Sequence, residues 1–169
     1  ADLMTIREKF GSFSGLKMCF IGDGNNMANS LIVGGLEVGM NVAVATPDGY
    51  KPDGAVLEFT KGYGDKFALE TDPFMAASGA DILITDTWTS MGEEAEKEER
   101  KKIFKDYQIN RQLLAAANAG AMVQHCLPAY RGQEITEEVF EEHADEIFNE
   151  AENRLHAQKA VMVKLMKKD

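Results

Sequence analysis

The chain has 169 residues, 44% of them hydrophobic and 27% charged. That suits one domain burying roughly 70% of the surface its unfolded form exposes. The 28 acidic against 18 basic residues give a net charge of −10, which repels phosphate backbones and anionic lipid, so nucleic acid and membrane surfaces are set aside as partners. No apolar run approaches the ~20 residues of a bilayer span, and the N-terminus lacks the layout of a secretion signal, so a cytoplasmic protein is expected.

Two cysteines are too few for a disulfide framework, and free thiols are expected. His125, His143 and His156 have no ligand spacing with each other or with the cysteines, so no metal is expected. The nine methionines read as core.

Leu3, Ile6 and Phe10 recur near helical spacing and Gly11 stops them, predicting a first helix over 2–10. It opens without a residue to cap or cover it, which points to a chain cut from something longer; the other reading is loss of an initiator methionine. Residues 16–21 form a nearly continuous apolar run, as in a strand covered on both faces. After the turn Gly22-Asp23-Gly24-Asn25-Asn26, a helix is marked by Met27, Leu31, Gly35 and Val38 and ended by Gly39, and 41–45 is the second strand. That is one βαβ unit.

Pro47-Asp48-Gly49-Tyr50 is a turn, a polar helix spans about 53–62, and a short third strand runs over 66–70. Asp72-Pro73 opens a short helix over 74–78, because Asp accepts free N–H groups and Pro at the first helical position loses no bond. Residues 80–85 are the fourth strand, followed by a loop over 86–92 and a charge-dense helix over 93–104, read as a solvated face. Ile109, Leu113 and Ala117 mark another helix, 121–125 the fifth strand, and Ala151, Leu155, Gln158, Met162 and Leu165 one face of a terminal helix.

Alternating strands and helices imply an α/β fold: a Rossmann-like, open, parallel five-stranded sheet of order 3-2-1-4-5 with helices on both faces. Strands 1 and 4 then diverge at the switch point. The loops 22–26 and 86–92 face each other there, with His125-Cys126-Leu127-Pro128 beside them.

Gly22-Asp23-Gly24 invites a dinucleotide reading, but Met27 stands where the third glycine belongs and the second strand ends in Ala45-Thr46, without an acid for a ribose. Two uses of the turn stay open. Asn25 and Asn26, with the helix N–H groups, can face a small anion such as a carboxylate, or the turn is structural and Asn simply caps the helix. Asp86, Ser90 and Met91 suit an amino-acid zwitterion, the carboxylate taking the ammonium and the hydroxyl adding a partner; alternatively Ser90 caps the following helix, and Trp88 is packing. His125 and Cys126 are neighbours on a strand and point to opposite faces, which disfavours a nucleophile–base pair. Cys126 is then either an inert buried thiol or a ligand contact by virtue of its place. Arg154 is a surface ion-pair partner or a charge aimed at an anionic ligand.

With those stretches in view, the chain resembles the ornithine carbamoyltransferases, specifically their second, ornithine-binding domain, over essentially its whole length. The resemblance is carried by 20–26 (Phe-Ile-Gly-Asp-Gly-Asn-Asn), 86–92 (Asp-Thr-Trp-Thr-Ser-Met-Gly), 125–128 (His-Cys-Leu-Pro) and Glu152-Asn153-Arg154. Aspartate carbamoyltransferases share the layout without the Ser-Met-Gly loop or the His-Cys-Leu-Pro run. The resemblance implies that Asn26, Asp86, Ser90 and Met91 hold the α-carboxylate and α-amino group of L-ornithine. Cys126 and Leu127 would lie near the δ-amine and carbamoyl group, and Arg154 would contact carbamoyl phosphate. Cys126 and Arg154 are the implied catalytic residues.

The implied reaction gives citrulline and phosphate, in arginine metabolism, with no cofactor. The family's first domain, with its Ser-Thr-Arg-Thr and His-Pro-x-Gln motifs, has no counterpart in the 169 residues, and 1–10 resembles the helix that follows the second motif. A single domain over 1–169, inactive alone, is therefore expected, with the first domain as partner and a homo-oligomer, a trimer, for the intact enzyme. The faces of Leu3, Ile6 and Phe10 and of Leu155, Met162 and Leu165 would be uncovered and drive self-association. The alternatives are a carbamoyltransferase for a related amine and a non-catalytic amino-acid-binding or interaction module.

Overall fold

Five parallel strands carry the core: β1 (Lys17–Ile21), β2 (Asn41–Ala45), β3 (Phe67–Glu70), β4 (Ile82–Thr85) and β5 (Met122–His125). Their order is β3-β2-β1-β4-β5, the predicted one. They are seen in a computed structural model, which describes residues 1–89 and 96–167.

Because side chains alternate along a strand, β1 feeds two cores. Met18 and Phe20 pack under α1 (Asp2–Phe10) and α2 (Asn26–Glu37), with Ile6, Leu31, Ile32 and Leu36. Cys19 and Ile21 face the other side, with Leu83, Val123 and the apolar residues of α4 (Pro73–Ala77), α6 (Arg111–Ala116) and α7 (Glu137–Glu142). α3 (Gly54–Thr60), α5 (Lys97–Phe104) and α8 (Ala144–Met166) complete the helices among the described residues. Helix α2 lies so close to the sheet that a Cβ on Gly35 would stand 2.7 Å from Met18 and 2.8 Å from Val42.

Several signals act as read. Asp72 accepts the Phe74 N–H at 2.8 Å, ahead of Pro73 at the helix start. Asn110, which the sequence reading did not single out, caps α6 through the Leu113 N–H at 3.0 Å. The polar helix after residue 53 is shorter than predicted and passes into a 3-10 segment over Lys61–Lys66.

Two expectations need correction, and one helix carried no signal. Helix α7 was not foreseen: only Val139 and Phe140 of its six residues are buried, too short a pattern to register a period. The face of Leu3, Ile6 and Phe10 is not uncovered, because Ile6 is fully buried on the sheet and Leu3 and Phe10 pack around it. Nor are the methionines all core: Met18, Met40 and Met122 are buried, while Met4, Met75, Met162 and Met166 are exposed. Flexible Met fills whatever apolar surface a helix presents, including surface left open here.

Helix α8 covers the free edge of β5. Glu146 Oε2 accepts the Val123 N–H at 2.9 Å, and one turn later Glu150 faces the His125 N–H. Two residues of strand span ~6.7 Å and one helical turn of four residues ~6 Å, so carboxylates at i and i+4 match donors at i and i+2. Past Glu150 and Asn153 the helix leaves the domain, with Leu155, Val161, Met162, Val163, Leu165 and Met166 all exposed. No helix among the described residues is long and apolar enough to cross a membrane.

Candidate active site

The strand register lines up the carboxyl ends: Ile21 pairs with Ala45 and Thr85, and Thr85 with His125. The segments that leave them, beginning at Gly22, Asp86 and Cys126, therefore start in one row along the sheet edge.

Asp86 stands at the centre of that row. Its Oδ2 accepts the Asn25 side-chain amide at 3.0 Å, and its Oδ1 accepts the Thr87 N–H at 2.7 Å and the Cys126 thiol at 3.1 Å. The capping reading of the first turn is the one seen, since Asn25 Oδ1 accepts the Met27 and Ala28 N–H groups of α2 at 2.9 and 3.3 Å. Those two helix donors are thus occupied. Asn26, the first residue of α2, is exposed.

The second glycine of the turn serves the fold rather than a pyrophosphate. A Cβ on Gly24 would lie 2.3–2.5 Å from the backbone of Tyr50, Lys51 and Pro52, and its N–H donates to the Tyr50 carbonyl at 2.9 Å. The space a dinucleotide would enter is filled by this chain's own loop, consistent with the missing third glycine.

His125 and Cys126 do point apart. His125 is fully buried, its Nε2 3.1 Å from Glu134 Oε1. Its Nδ1 accepts the Leu127 N–H at 3.0 Å, so Nε2 carries the proton that goes to Glu134. Glu134, also fully buried, takes the Tyr130 N–H at 2.6 Å as well. These contacts hold Leu127 at φ 52°, ahead of the cis Leu127-Pro128 bond. Burial, then the Asp86 charge and the hydrogen bond to it, push the Cys126 thiol well above the usual range. It is a neutral donor at physiological pH rather than a nucleophile.

Arg154 is exposed on α8, with no hydrogen bond or ion pair among the described residues. Ser90 and Met91 lie outside the described residues. Trp88 is buried and stacks on Phe104 at 6.2 Å, the packing role expected of it. The structure thus joins Asn25, Asp86 and Cys126 and leaves Asn26 and Arg154 on the surface.

Two residues escaped the sequence reading. Glu134 carried no motif of its own. Arg100 lies in the segment read as a solvated face, and that reading is corrected here: it is 4% exposed, ion-paired with Asp23 and bonded to the Trp88 carbonyl. The clue was an Arg one turn before Phe104, an aromatic at the end of a helix that is mostly charged. Among the described residues no cluster of three or more His, Cys, Asp or Glu is placed to hold a metal ion.

An open parallel sheet with a polar row at its switch point, and the nucleotide position filled from within, defines an α/β domain whose candidate ligand crevice lies at its carboxyl edge. The family model described as aspartate/ornithine carbamoyltransferase, Asp/Orn binding domain, matches residues 14–165, and the chain belongs to that family. The ornithine carbamoyltransferase of Gloeobacter violaceus is 56% identical over 170 residues, covering 98% of this chain and 54% of the relative. Among solved structures, the Pyrococcus furiosus ornithine carbamoyltransferase superposes with a TM-score of 0.87 at 46% identity, covering 96% of this chain and 53% of that one. The anabolic enzyme of Campylobacter jejuni gives 0.89 at 42%, covering 97% and 56%. The chain spans about half the length of the relatives it matches.

Proposed function

We propose that this chain is the ornithine-binding half of an ornithine carbamoyltransferase, in which the δ-amine of L-ornithine attacks the carbamoyl carbon of carbamoyl phosphate to give L-citrulline and phosphate. The observation that carries the reading is Asp86, held by Asn25 and Cys126 at the switch point of a domain of this family.

In this proposal Asp86 takes the α-ammonium, Asn26, Ser90 and Met91 complete the α-carboxylate and α-amino site, and Leu127 presents its backbone near the δ-amine. Cys126, a neutral thiol bonded to Asp86, receives the proton released by the attacking amine as it passes its own to the carboxylate. Arg154, exposed where α8 leaves the domain, reaches the anionic co-substrate. The rate arises from holding two substrates in line and stabilising developing negative charge. The carbamoyl-phosphate domain covers the open stripe of α8, and the intact enzyme is a homo-oligomer. Alone, the chain binds amino acid and turns over no carbamoyl phosphate.

Calorimetric titration with L-ornithine, then with L-norvaline, which lacks the δ-amine, tests this. Saturable binding of both, lost in Asp86→Ala, is expected. A folded chain that takes up neither at millimolar ligand overturns it.

A further inference from the structure

We propose that Arg100 is a positioning residue for amino-acid binding: it clasps the turn after β1 to the loop after β4 and so sets where Asp86 stands relative to Asn25 and Asn26. The proposal rests on the ornithine-binding reading of that crevice and adds the group that holds its two lips together.

Arg100 lies in α5 among Glu98, Glu99, Lys101 and Lys102, yet it is buried. Its Nη2 meets the Asp23 carboxylate and its Nε donates to the Trp88 carbonyl. Its guanidinium carbon stands 5.1 Å from the Tyr50 ring centre and 5.2 Å from that of Phe104. Removing a guanidinium from water is costly unless its charge is paired and its donors are met. Here the carboxylate, the carbonyl and two aromatic faces meet them, and they come from the turn after β1, the loop after β4, the loop after β2 and α5 itself. One cation therefore ties together the exits of three strands.

The anchors flank the site symmetrically. Asp23 is two residues before Asn25, and Trp88 two residues after Asp86. The Asn25–Asp86 hydrogen bond of 3.0 Å joins the two segments directly, and Arg100 joins the same two segments through Asp23 and Trp88. A site whose donors come from two loops has only the geometry those loops are given, and a shift of ~1 Å is worth up to about a hundredfold. Lysine cannot replace the device, since an ammonium lacks both the planar fork and the stacking face.

The test compares wild type, Arg100→Lys, Arg100→Gln, Asp23→Asn and the double variant Asp23→Asn/Arg100→Gln by L-norvaline calorimetry and by hydrogen exchange of backbone amides. Affinity is expected to fall by about tenfold or more in Arg100→Gln, less in Arg100→Lys, and no further in the double variant, because both changes break one clasp. Exchange is expected to quicken at residues 22–26 and 86–89 while β2 and α8 keep their protection. Unchanged affinity and exchange overturn the proposal, as does quickening spread evenly over the sheet, which marks Arg100 as a residue of general stability. If wild type binds neither amino acid, the ornithine reading fails and exchange alone decides the clasp: local quickening upholds it, and none refutes it. Should Arg100→Gln not fold, Arg100→Lys and Asp23→Asn carry the same comparison.

Discussion

Replacing Glu134 by Ala would remove the support of the His-Cys-Leu-Pro segment from below. The lost carboxyl accepts the proton of the fully buried His125 Nε2 at 3.1 Å and the part-buried Tyr130 N–H at 2.6 Å. A buried donor left without its acceptor costs about 1–3 kcal/mol; that falls on His125 Nε2, and the part-buried Tyr130 N–H adds less. Some of that is returned because Glu134 Oε2, which has no partner among the described residues, need no longer be kept from water. The net loss is about 2 kcal/mol, as for one fully buried donor and one part-buried donor left without an acceptor. With a urea slope of about 2 kcal/mol per molar for a domain of this size, the unfolding midpoint falls by about 1 M at unchanged slope. Glu134→Gln keeps an acceptor oxygen for both donors and should lose less than about 1 kcal/mol, or ~0.5 M. Equal midpoints for wild type and Glu134→Ala would refute the reasoning, and so would a glutamine variant as damaged as the alanine one.

Burial, and Asp2 beside it, raise the Glu150 carboxyl from 4.5 to about 8. A carboxyl raised in the folded state holds a proton that the unfolded chain has released, so its stabilisation is complete below pH 4.5 and is lost as pH rises to about 8. Denaturation midpoints should fall across that window, and Glu150→Gln should flatten the decline; an identical profile in the variant contradicts it. Cys126, held as the thiol, should react with iodoacetamide at pH 7.5 at least about tenfold more slowly than free cysteine, and Asp86→Asn should speed it. Alkylation as fast as free cysteine would count against the Asp86 contact. The open stripe of α8, with Leu165 80% and Met166 79% exposed, should drive self-association seen by light scattering. Glu at Met162 and Leu165 together should abolish it, and a monomeric wild type at high concentration would show the stripe to be inert.

The sheet was legible because its strands are buried on both faces and punctuated by turn residues. Runs such as Ile82 to Thr85, fully buried between Gly79 and Asp86, carry order and direction in the sequence itself. The candidate site was legible where chemistry sits beside a strand end, as at Asp86 and Cys126. What stayed hidden depends on distant partners. Arg100 looks like its charged neighbours until Tyr50, Asp23 and Trp88 are folded around it, and Ile6 looks like half of an uncovered face until the sheet is beneath it. Glu146 and Glu150 carried no signal in the sequence, and their four-residue spacing serves the free edge of β5.

The family includes aspartate-binding and ornithine-binding members under one description, and the choice between them is the most direct test of the proposed function. Parallel calorimetric titrations of the chain with L-ornithine and L-aspartate decide it. The proposal predicts saturable binding of L-ornithine, abolished by Asp86→Ala, and no heat from L-aspartate, whose second carboxylate the Asp86 charge repels. Binding of L-aspartate at equal or lower concentration would contradict the ornithine assignment outright.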